Sequence, residues 1–349
     1  MNKLTKGVIM NKLTKIGVSA LCGSLAAFSA AHAGDMTVTG GADMTWMSKS
    51  DDTTGNPIGI GSDFGLAGSG ELDNGWSVDL AITHTNAGAY SNSSVTIGIP
   101  GVGDILFNQG GSGTGIQRMD DMTPTVWEEA DGAGLSATIN KISGGSAGAT
   151  IEIKPEAVPD GLTARFAYTA DADGSSSTSD KGTGGDSGVA GAGWDLTLEA
   201  SDALHGVAGL TVYAGISETE QDTAGSTVAG DKDETTFGAV YAMGSFTFGY
   251  QWSEEELGLS SGIDKYENDA YGITFNVNDD LSIGYNNYES NQGTIGGGNV
   301  TAEATSIQIA YSMGGASIRL AEAEVENSKY QTGTSFDRDA TTLSVSLAF

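Results

Sequence analysis

Five carboxylates, Asp120, Asp121, Glu128, Glu129 and Asp131, and one guanidinium, Arg118, crowd into the stretch RMDDMTPTVWEEAD. Carboxylates this close can exchange protons as an acid–base pair, hold a divalent cation, or lend a water-filled passage a field that favours cations. Acid–base or nucleophilic catalysis finds little support, because it needs a nucleophile, a base and an orienting group within reach. Beyond position 33 only His84 and His205 remain as imidazoles, the single cysteine is Cys22, and no spacing suggests a catalytic set, so no enzyme and no cofactor is expected. A structural calcium loop fits no better. Asp171-Ala172-Asp173-Gly174 has its glycine too early for an EF-hand, and Gly184-Gly185-Asp186-Ser187-Gly188 is not followed by a nine-residue period, so no metal site is expected.

The carboxylates sit within Gly110 to Gly148, the longest interval without a strand rhythm. Loops beyond about 12 to 15 residues are normally functional or disordered. A solvated external acidic loop would account for the charge equally well. Length, together with Trp127, an aromatic anchor a surface loop seldom needs, favours a loop that narrows a passage.

The elements that position this loop follow from the rest of the chain. Lys12 and Lys15 precede an apolar stretch from Ile16 to Phe28 and the small-residue end Ala31-His32-Ala33, the layout of a secretory signal peptide with cleavage expected after Ala33. The words MNKLTK occur at both Met1 and Met10, so either could initiate. Removing residues 1–33 takes four of the 15 basic residues and none of the 45 acidic ones, which deepens the formal net charge from −30 to −34. Such a balance repels nucleic acid and attracts cations. It also removes Cys22, leaving neither disulfide nor thiol chemistry. Residues 34–349 hold no apolar run of 18 or more, hence no spanning helix; a single domain is expected.

From Met36 onward apolar residues recur at every second position. Trp76, Val78, Leu80, Ile82 and His84 alternate with Ser77, Asp79, Ala81 and Thr83; Phe246, Phe248, Tyr250 and Trp252 alternate with Thr247, Gly249 and Gln251; Leu343, Val345, Leu347 and Phe349 close the chain. The oily face would meet a second sheet in a sandwich, or lipid in an outer-membrane barrel. Strands are expected near 36–46, 59–71, 76–86, 93–99, 104–109, 149–154, 162–170, 193–201, 210–220, 235–243, 245–254, 269–277, 281–289, 301–312, 316–326 and 340–349, which makes 16. Short turns such as Asp73-Asn74-Gly75 and Pro100-Gly101-Val102-Gly103 alternate with long polar connections, the pattern of an up-and-down transmembrane barrel. Leu135 to Lys141 could form a seventeenth strand, but an even count keeps both termini on one side, so it is assigned to the loop.

With its leader, 16 alternating strands, the closing ATTLSVSLAF and the long acidic loop after the fifth strand, the chain resembles the trimeric general porins of Gram-negative bacteria. The resemblance implies an antiparallel transmembrane β-barrel in the outer membrane, among lipid and lipopolysaccharide, assembled as a homotrimer. It implies passive diffusion of ions and small hydrophilic solutes, with the third loop folded inward as a constriction. Such porins carry a basic set opposite the loop. Alternation turns Arg165, Arg319 and Lys154 inward, and Arg118 lies in the loop itself; this set is thin, which leans the pore towards cations. A narrower, substrate-selective porin is compatible with the same residues, and a secreted acidic β-rich adhesin or surface-layer protein is the alternative from another class.

Overall fold

A computed structural model describes residues 36–50, 56–86, 89–109, 113–133, 135, 137–145, 149–172, 190–221 and 227–348. The expected leader 1–33, the terminal Phe349 and most of the Gly- and Ser-rich connection with its calcium-like fragments lie outside these residues.

Sixteen strands form: β1 (Met36–Lys49), β2 (Ile58–Glu71), β3 (Ser77–Thr85), β4 (Ala89–Ile99), β5 (Gly103–Gln109), β6 (Thr150–Pro155), β7 (Leu162–Thr169), β8 (Ala190–Ala200), β9 (Leu210–Gln221), β10 (Lys232–Met243), β11 (Phe246–Glu256), β12 (Ile263–Asn276), β13 (Leu281–Thr294), β14 (Val300–Met313), β15 (Ala316–Glu326) and β16 (Arg338–Ala348). Each pairs antiparallel with its sequence neighbours, and β1 pairs with β16, which closes the barrel. Thus Met44 on β1 lies opposite both Ile60 of β2 and Val345 of β16. Every expected strand is present, and none of the described residues from 135 to 145 is in a strand, so the even count holds.

Alternation sorts the two faces. Ile60, Phe237, Ile307 and Ile309 are among the large apolar side chains on the outside, while Gln251, Asn286, Gln308 and Thr197 are buried on the inside. This inverts a soluble protein and suits a wall with lipid outside and water inside. Aromatic rings of the outer face meet in cross-strand pairs, including Phe64 stacked on His84 at 5.1 Å and Phe246 on Phe275 at 4.5 Å. His84 is therefore a ring of the outer face.

Several strands outrun their sequence-based limits. β12 begins at Ile263 and β13 continues to Thr294, so the connections between β11 and β12 and between β13 and β14 shrink to 257–262 and 295–299. The added residues carry Tyr266, Glu267 and Asn268 on β12 and Ser290, Asn291 and Gln292 on β13. Both faces are polar there, so no apolar rhythm marks a ladder that still runs in register from Lys265 opposite Gly293 onward. At the opposite end the turns are tight: between β12 and β13, Asn278 Oδ1 accepts the amides of Asp280 and Leu281 at 2.9 and 2.8 Å. The connection between β8 and β9 holds a short helix, α1 (Asp202–His205), which carries His205.

The lipid-facing role of the outer side has a direct measure. Ile309, flanked by Ile283 and Leu320, lies in the middle of the apolar band. Ile309→Arg should destabilise the folded barrel by about 2–4 kcal/mol in lipid, whereas Glu324→Arg, above the band, should cost about 0–1 kcal/mol. Denaturant unfolding in liposomes reads the difference.

Candidate functional site

The segment between β5 and β6 does not hang outside. Its contacts run along the inward face of the wall from β6 to β16. It opens with a 3₁₀ turn, η1 (Gly115–Met119), whose Gly115 amide donates to Glu152 Oε2 at 2.8 Å while Arg118 forks onto both oxygens of the same carboxylate at 2.5 and 2.6 Å. Ile116 and Met119 of this turn are fully buried with Ile142, Tyr213 and Val240.

An irregular backbone inside a barrel still has donors and acceptors to satisfy. Three inward amides of the wall supply partners. Gln251 of β11 accepts the Met122 amide at 3.0 Å and donates to the carbonyls of Met119 and Asp120 at 2.8 and 3.0 Å. Asn286 of β13 accepts the Ala130 amide at 3.0 Å and donates to Thr123 Oγ1 at 2.7 Å. Gln308 of β14 accepts the amides of Trp127 and Glu128 at 3.0 and 3.1 Å and donates to the Glu128 carbonyl. Between these points the wall is smooth. Gly249 and Gly272 are cross-strand partners, and a Cβ on either would run into Pro124.

The descending limb ends in an apolar seam. Ala130, Ala133, Leu135 and Ala137 pack against the small inward residues Ala304, Ala321, Ala323, Val325 and Ala340, with Trp127 at the edge. The returning limb is pinned in turn. The Asn140 amide donates to Tyr330 Oη at 2.7 Å, Tyr288 Oη donates to the Asn140 carbonyl at 3.3 Å, and the amides of Ser143 and Gly144 meet Glu234.

The charged residues singled out in the sequence divide into groups. Asp120, Asp121 and Glu128 lie on the loop, and Asp121, Glu128 and Glu129 line a cavity of about 690 Å³ together with Arg118, Trp127 and Glu199. Burial pushes the Asp121 carboxyl up to about 7, even though Lys141 and hydrogen bonds from Thr123 pull the other way. Burial likewise raises Glu128, with the neighbouring Glu129 adding to it. Glu129 and Asp131 instead share Lys141, whose Nζ sits 2.8 and 2.9 Å from them.

The basic residues are not arrayed as a row facing these acids. Arg118 is spent on Glu152; Arg165 pairs with Glu199 at 2.9 Å and lies 3.8 Å from Glu152. Arg319 reaches Asp43 at 3.4 Å and lies 5.9 Å from the centroid of the Trp127 ring. Lys154 is not brought to the loop: it stands at the turn end of β6, half exposed, 3.5 Å from Asp104. On the part of the wall that the loop leaves open, β1 to β5, Asp43, Asp63, Asp79 and Asp104 share the inward face, and Lys49 is the only lysine or arginine from residue 36 to 109.

Sequence reasoning missed Lys141, Glu234 and the three wall amides as partners of the loop. Gln251 was readable as an inward residue, but alternation cannot reveal that its contacts lie more than a hundred residues away.

Residues 17–333 match a family model described as Gram-negative porin. No curated protein sequence matches the chain significantly. Among solved structures the fold is similar to an anion-selective porin from Comamonas acidovorans, at TM-score 0.65 and 15% identity over 90% of this chain and 99% of that one. It is similar to OmpF of Salmonella typhi in complex with daunomycin, at TM-score 0.67 and 13% identity over 90% and 98%. The trimer form of OmpT from Vibrio cholerae aligns at TM-score 0.63 and 13% identity over 91% and 100%.

The wall amides should hold the loop measurably. In Gln308→Leu the amides of Trp127 and Glu128 lose their partner at a cost of about 1–3 kcal/mol, so their hydrogen exchange should run about ten- to a hundredfold faster. Amides of the β14 ladder should stay protected.

Proposed function

The chain belongs to the Gram-negative porin family, a family of outer-membrane channels for small solutes, and on that premise we propose a passive pore with a preference for cations, narrowed by its own third loop. The observation that carries the preference is the mismatch in charge across the lumen. Asp120, Asp121 and Glu128 are on the loop, further aspartates are on the wall facing it, and Arg118, Arg165 and Arg319 are committed to Glu152, Glu199 and Asp43. A carboxylate about 7 Å from an ion in water contributes about 0.6 kcal/mol, close to threefold in local cation concentration, and more where water is scarce. The fold is one that another member uses for anions, so the sign of selectivity is decided by side chains.

Transport on this reading is diffusion down a gradient. The protein positions charge and sets the width, and the family and fold are those of non-enzymatic channels. We further propose that residues 1–33 are removed as a signal peptide, that 34–349 form the mature barrel among lipid and lipopolysaccharide, and that the barrel works as a homotrimer, the form reported for the Vibrio cholerae relative.

Reversal potentials in planar bilayers under a KCl gradient test the reading. Cation-selective conductance is expected, and anion selectivity would refute it. Asp121→Asn with Glu128→Gln should lower the cation-to-anion permeability ratio by about threefold or more, the effect of removing charges at this range. The pH dependence has a definite sign. Because the Asp121 carboxyl titrates at about 7, it is neutral below and charged above, so cation preference should grow from pH 6 to pH 8. That step should be smaller in Asp121→Asn.

A further inference from the structure

Arg118, Lys141, Arg165, Lys232 and Arg319, the basic residues around the loop, are each paired with acids, but the pairs differ in what they neutralise. Lys232 bridges Glu234 and Glu255 at 3.1 and 3.0 Å, and both carboxylates are sealed from water, with 0% and 7% of their side chains exposed. Arg118 answers Glu152, which is 5% exposed. These pairs hold structure together and cancel charge that the lumen never meets. Other pairs neutralise acids that meet the lumen: on the wall Arg165 answers Glu199, which is 28% exposed and lines the cavity, and Arg319 answers Asp43, which is 50% exposed, while on the loop this part falls to Lys141. It is itself 14% exposed, yet its partners Glu129 and Asp131 are 36% and 18% exposed, and Glu129 lines the lumenal cavity.

The ammonium is also well held. Its Nζ lies 5.2 Å from the centroid of the Tyr288 ring, and Tyr288 is completely buried. The preceding residue is fixed by Tyr330 Oη on its amide and Tyr288 Oη on its carbonyl. Burial on its own would lower the Lys141 pKa, but Asp131 and Glu129 outweigh it and keep the amine charged. Lys141 stays a permanent cation, carried on the returning limb and laid across the acids of the descending limb.

We propose that Lys141 is a selectivity-determining residue of the pore: by clasping Glu129 and Asp131 it withholds one unit of negative charge from the lumen and so limits how strongly the channel prefers cations. The triad carries one net negative charge as it stands, two without the lysine, and none if Glu129 is made neutral. The inference rests on the cation-preferring reading above and adds the residue that moderates it.

Reversal potential, measured at 0.1 M mean salt on the assembled protein extracted from outer membranes, orders three channels. Lys141→Met should raise the cation-to-anion permeability ratio about threefold over the parent, Glu129→Gln should lower it about threefold, and Lys141→Arg should match the parent. Both shifts should shrink at 1 M salt, where the screening length falls to about 3 Å. Unchanged or reduced cation preference in Lys141→Met overturns the proposal. If Lys141→Met does not assemble, Glu129→Gln decides, and an unchanged ratio there also overturns it. Asp121→Asn with Glu128→Gln separates the two levels: a shift in that variant with none in Lys141→Met or Glu129→Gln removes the clasp and leaves the acidic loop as the filter. No shift in any of them removes the reading on which it rests.

Discussion

Lipid offers no partner to a backbone amide, so a sheet that crosses a membrane must close on itself. The pairing of β1 with β16 is that closure, and most of the structure depends on it. Once the ladder is continuous, the outside can be wholly apolar and the inside free to be polar. Uncommitted amides and carboxylates can then line the interior without destabilising the wall.

The loop between β5 and β6 uses that freedom. Its backbone has no ladder, so its donors and acceptors are met by side chains that the wall extends inward. Gln251, Asn286 and Gln308 each serve two or more loop groups, and Glu152 and Glu234 accept amides at its two ends. Fit is as important as bonding. Gly249 and Gly272 leave the space that Pro124 fills, and the alanines of β14 to β16 let the limb around Ala133 approach closely. Rigid placement of the carboxylates is therefore a property of the wall as much as of the loop.

Charge is distributed unevenly over this frame. Arg118, Arg165, Arg319 and Lys232 all meet acids close at hand, where each pair stabilises a contact and contributes little field at a distance. The acids left without an ion pair include Asp120, Asp121 and Glu128 on the loop and Asp63 and Asp79 on the inward face of β2 and β3. A count of basic residues overstates the opposing charge, because neutralisation depends on which acid each cation touches.

The number of strands, their faces and the existence of one exceptional loop were legible in the sequence. An oily residue at every second position is a local consequence of lipid on one side of an extended chain, and Phe246, Phe248 and Tyr250 announce it without help from elsewhere. Where lipid ends that signal ends too, which is why Tyr266 to Asn268 and Ser290 to Gln292 read as loop although they continue the ladder. The loop's acids were visible by type, but their partners were not. Lys141 meets Glu129 and Asp131 only after the loop has turned back, Lys154 is held away at Asp104, and Arg319 reaches Asp43 across the closing seam. Periodicity describes one strand and its immediate surroundings, whereas ion pairs in an irregular segment are set by where the chain returns. Sequence alone determined the barrel; only tertiary structure decided which of its charges face the water.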